Sequence, residues 1–116
     1  MPGAVFLCAW YNESVRIDIN VPPEFTVLAP GLPDMRLPGE GNPEDDLWQA
    51  VAHVHQVQVL LEVRWVPEQH LYVCRSVFNG DTDNPRDQAA IQYPHEIIMW
   101  LGGWFKQIRK LKNSRL

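Results

Sequence analysis

The side chains able to do chemistry in this 116-residue chain are few and scattered. Its serines are Ser14 in a polar, turn-like stretch, Ser76 in a strand-like run, and Ser114 close to the C-terminal end. The nearest pairing of a nucleophile with a base is Cys74 with His70. On a strand, four residues span roughly 13 Å, so the two would share a face without reaching hydrogen-bonding distance. The patterns GxSxG, Walker A, HExxH and CxxC are absent from the sequence. No catalytic residue and no cofactor is assigned on these grounds.

Metal chemistry rests on His53 and His55. On a helix they would lie about 200° apart and could not hold one ion. On a strand they would share a face and could chelate an imidazole-preferring metal, with His70 or His95 adding ligands. The helical pattern fits His53 better, so the pair is expected to be ordinary, partly exposed histidines. The run from Asp81 to Asp87 looks superficially like a calcium loop. Such a loop needs Gly at its sixth position and Glu at its twelfth, and Arg86 and Gln92 stand there instead.

Charge is the more informative property. The net charge of −4 conceals a segregation. Residues 1–105 hold five arginines against all fourteen acidic residues, a balance of −9. The last eleven residues hold Lys106, Arg109, Lys110, Lys112 and Arg115, which is +5. An acidic body repels nucleic-acid phosphate and anionic membrane surfaces and favours basic protein partners. Asp34, Glu40, Glu44, Asp45, Asp46, Asp81 and Asp83 lie in loop-like or helix-start positions and form the candidate acidic binding face. For residues 44–46 there is also a purely structural account, since anions suit the first turn of a helix.

A second candidate surface lies further along. Residues 97–101 (IIMWL) are five apolar side chains in succession, more than one helical stripe can bury. Met99 and Trp100 fall off the stripe, and with Trp104 they form a candidate partner or self-association face. Gly102 and Gly103 follow in mid-helix, which suggests close backbone packing or a kink.

The elements that must position these groups follow from periodicity. Residues 4–10 (AVFLCAW) read as a buried strand; no basic residue precedes them, so a signal peptide is not expected. Residues 15–21 (VRIDINV) alternate cleanly and should complete an antiparallel hairpin, with a short third strand over residues 25–29. Residues 30–43 contain seven Pro or Gly and must form a surface loop. Asn42 as a cap, Pro43 at the first position and the acidic triplet then predict a helix with Leu47, Ala50, Val51 and Val54 as its apolar stripe. From Val57 the period is two as far as about Val66, and residues 71–78 return as its partner strand. Pro94 opens a final helix whose stripe is Ile97, Leu101, Trp104, Ile108 and Leu111.

The expected architecture is therefore one α+β domain over residues 1–116. Its order is β-β-(β)-α-β-β-α: an antiparallel sheet of four to five strands with two helices packed on one face. Hydrophobic residues make up 46% of the chain and no run is long enough for a membrane helix, so a cytoplasmic globular protein is expected. Cys8 and Cys74 are expected to be buried, reduced thiols. The expected function is non-catalytic binding of a basic protein. Its most specific form is a small acidic inhibitor of the immunity-protein or antitoxin kind, covering a toxin or nuclease. The alternatives are a subunit or adaptor docking through the C-terminal helix, alone or as a homo-oligomer, and a small enzyme or ligand-binding domain with its site beside the 30–43 loop.

Overall fold

The computed structural model describes residues 19–31 and 37–114. The expected strand at residues 4–10 lies outside them, as do most of the next expected strand, Asp34 and Cys8. Residues 19–21 are described and belong to no strand.

Five strands, β1 (Phe25–Pro30), β2 (Leu47–Val54), β3 (Val57–Val66), β4 (Leu71–Phe78) and β5 (Asp87–Ile91), form an antiparallel meander in sequence order. One α-helix, α1 (Pro94–Asn113), closes the chain. The fold is α+β, as expected, but with one helix among the described residues where two were expected. No helix there is long and apolar enough to cross a membrane.

The missing helix is the one that began best. Asn42 does cap, its Oδ1 accepting from the Glu44 amide at 3.2 Å, and Pro43 does stand at the first position. The element nevertheless stops after a single 3-10 turn, Pro43–Asp46, and continues as β2. Residues 47–54 satisfy two periods at once. Leu47, Ala50, Val51 and Val54 fit a helix, while Trp48, Ala50, Ala52 and Val54 fit a strand face. The tie is broken by β3, which offers an eight-residue ladder running from Leu47↔Arg64 to Val54↔Val57. That pairing satisfies the backbone and places four buried side chains together, which a short amphipathic helix cannot match. Gly31 permits the tight approach to this turn. A Cβ at this position would collide with the Leu47 carbonyl oxygen and stand 2.8 Å from that of Glu44.

Rows of small and large apolar side chains cross the inner face of the sheet, such as Trp48–Val63–Cys74–Ala89 and Ala52–Val59–Phe78. Helix α1 lies over them and buries Ile97, Leu101 and Ile108. Each contributes roughly 2 kcal/mol relative to exposure. The helical stripe thus matches the sequence pattern, with Trp104 and Leu111 only partly buried. On the outer face, Glu62 is buried between Gln49 and Arg75. It accepts from Gln49 Nε2 at 2.7 Å and from Arg75 Nε at 3.0 Å, so the charge is compensated where it is desolvated.

A Trp-lined groove as the candidate functional site

Strand β5 has little strand propensity of its own and forms through its register with β4, where Ser76 faces Asp87. That register puts the Asp87 carboxylate on the inner face, at the margin where α1 passes. Trp100 and Trp104 stand four residues apart and so share one side of the helix. Both indole Nε1–H groups donate to the same oxygen, Asp87 Oδ2, at 3.1 and 3.2 Å. The two indoles lie 6.4 Å apart, tilted by 57°. Trp104 also meets the Phe78 ring edge-on at 5.8 Å, and the Arg86 guanidinium lies 4.6 Å from the centre of that ring. An aromatic ladder thus runs from Arg86 to Trp100 along the sheet margin.

Beside this ladder is an open groove of about 310 Å³, lined by Asp87, Met99, Trp100, Gly103, Trp104 and Gln107. Met99 is 73% exposed. Gly103 keeps the groove open. A Cβ there would meet nothing within 4 Å, and the same holds at Gly102. The two glycines therefore face open space, and the expected close packing at this point is absent. The groove is at the small end of the range for ligand sites, about right for one or two side chains.

The acidic residues are not gathered in one place. Glu40, Glu44, Asp45 and Asp46 lie at the end of the sheet where β2 begins and β3 ends. There Glu40, Asp46 and Glu68 share a cleft of about 420 Å³ with Arg64 and Trp65. Asp81 and Asp83 sit on the β4–β5 connection at the opposite end, where Asp81 accepts from Asn84 Nδ2 at 3.3 Å. The eight residues of β4 separate the two groups, about 25 Å.

The remaining chemistry is dispersed as well. His70 occupies an exposed turn with φ of 52° and meets Trp65 edge-on, whereas Cys74 is fully buried. Burial, and after it the Asp87 charge, pushes the Cys74 thiol up to about 12, the reverse of what a nucleophile needs. Ser76 is also fully buried, and its Oγ has no hydrogen-bond partner among the described residues. His53 projects from β2, while His55 sits in the β2–β3 turn with Nε2 donating to the Leu111 carbonyl at 2.8 Å. The described residues contain no cluster of three or more metal-ligating side chains.

Comparisons with family models, curated proteins and solved structures found no match. Function must then come from the site itself. Met99 and Trp100 were visible in the sequence as apolar excess on a helix, and Trp104 as a member of the stripe beside them. Asp87 was not, because only the register of β5 with β4 places it beneath two indoles.

Proposed function

We propose that this chain is a non-catalytic protein-binding domain that docks a basic partner through the Met99–Trp100–Trp104 groove. The observation that supports it is an exposed methionine and two partly exposed indoles around an exposed carboxylate, at the margin where the helix crosses the sheet. Trp and Met are favoured at interfaces, Trp for its large, stiff apolar area and Met because its flexible, polarisable side chain adapts to a partner. A carboxylate among them selects a cationic counterpart.

The decisive variant is Gly103→Leu. A Cβ there meets nothing within 4 Å, so the side chain starts in open space and projects into the groove while replacing a poor helix former. Affinity capture with wild type and variant, quantified by mass spectrometry, should show a partner that is lost with Gly103→Leu while the helical circular dichroism is kept. Met99→Lys should lose the same partner by repulsion. Capture that survives both changes would remove the groove as the docking surface.

A second reading is favoured by the cleft that Glu40, Asp46 and Glu68 share, with Glu44 and Asp45 beside it. In that reading the chain is an acidic inhibitor of the immunity-protein or antitoxin kind, and this end covers a basic active site. Reversing Glu44, Asp45 and Asp46 to lysine would then abolish capture, and Gly103→Leu would leave it intact.

A further inference from the structure

We infer that the groove receives a single arginine side chain of the partner, with its guanidinium against the indoles and paired to Asp87. This deepens the docking proposal and rests on it. The room available, about 310 Å³ and open on one side, suits one long side chain. The indoles are fixed in place because each spends its only donor on Asp87 Oδ2. Both hydrogen bonds go to the same oxygen, and among the described residues no donor reaches Oδ1. A carboxylate oxygen beside two aromatic walls is what a planar, weakly hydrated cation needs. Arginine can stack its fork on an indole and still donate to the carboxylate, whereas lysine would shed a tighter hydration shell.

The chain already uses this mode of contact next door. Its own Arg86 lies over Phe78, and Phe78 packs on Trp104. The incoming side chain would take the next place on the same ladder, with Met99 against its methylene stem. Arg86 also supplies the opposing effect, because its positive charge beside Asp87 lowers affinity for any cation. The two neighbouring residues therefore make opposite predictions.

The probe is Nα-acetyl-arginine methylamide added to the full chain, with the indole N–H resonances followed by NMR. The Trp100 and Trp104 signals should shift saturably, while those of the buried Trp48 and Trp65 stay in place. The norleucine analogue should give no saturable shift, and the lysine analogue should bind more weakly than arginine. Asp87→Asn keeps an oxygen for the indoles and should weaken arginine binding about tenfold, as expected on losing a charge-assisted pair. Arg86→Gln should tighten it. Equal shifts from norleucine and arginine, or unchanged binding by Asp87→Asn, would overturn the arginine assignment and leave the docking surface standing. Survival of partner capture in Gly103→Leu and Met99→Lys would instead bring down the docking surface itself.

Discussion

The Asp87 carboxylate accepts two indole N–H groups and adds its negative charge to the burial that already holds the Cys74 thiol protonated. The thiol is raised from 9.0 to about 12, with desolvation the larger cause. Its effect on stability has a definite sign. The folded state holds the proton more tightly than the unfolded state, so the stabilisation is complete below about pH 9 and is lost as pH rises toward 12. Within that window each pH unit costs up to about 1.4 kcal/mol from this one group. Urea midpoints should therefore fall more steeply between pH 9 and 10.5 for the native chain than for Cys74→Ala. Iodoacetamide at pH 8 should leave Cys74 unmodified until denaturant is added. Rapid alkylation of the folded protein at that pH would contradict the burial on which the inner face depends.

At the scale of elements, α1 carries two helix-weakening residues in its middle and gains no packing from either, since both face open space. Gly102 lies outside the groove lining, so Gly102→Ala should raise stability by about 1 kcal/mol without touching partner binding. Thermal or urea unfolding of the variant checks this, and a loss of stability would mean that the backbone at Gly102 is held in a conformation alanine resists. Helix α1 was legible in the sequence because five apolar residues kept one period over four turns with Pro94 in front. Strand β3 was legible for the corresponding reason, a clean period of two, and β4 as the largely apolar run that returns beside it. Strand β2 was misread because a real capping signal at Asn42 and Pro43 precedes residues that fit both periods, and only the partner ladder on β3 decides between them. Strand β5 had no signal, since Asp87, Gln88 and two alanines have little intrinsic preference for a strand and pair through β4. The β2–β3 turn carried none either. His55 and Gln56 both take positive φ, 50° and 68°, where Asn or Gly would be expected. Its strain is offset in part by the bond from His55 to the Leu111 carbonyl.

For the whole molecule, the charge segregation seen in the sequence survives folding in altered form. The basic end of α1 is drawn back onto the body, where Arg109 and Lys112 lie 3.5 and 3.8 Å from the Glu24 carboxylate. The acidic loop residues are divided between the two ends of the sheet, so a small basic partner can face one group closely while the other acts on it at long range. Carboxylates outside the contact then influence the encounter more than the bound complex. Charges at a distance raise the association rate and are screened within about 10 Å at 0.1 M salt, whereas packed side chains govern dissociation. Reversing Glu44, Asp45 and Asp46 to lysine changes the sign of the net charge, −4 in the native chain. With a groove-docked basic partner, this triple variant should slow association and flatten its dependence on salt while leaving the dissociation rate nearly unchanged. Gly103→Leu should do the opposite, speeding dissociation with little effect on association at low salt. Surface-plasmon kinetics across a salt series separates the two. A triple variant whose dissociation accelerates would place the partner on the acidic end, in favour of the inhibitor-type surface over the groove.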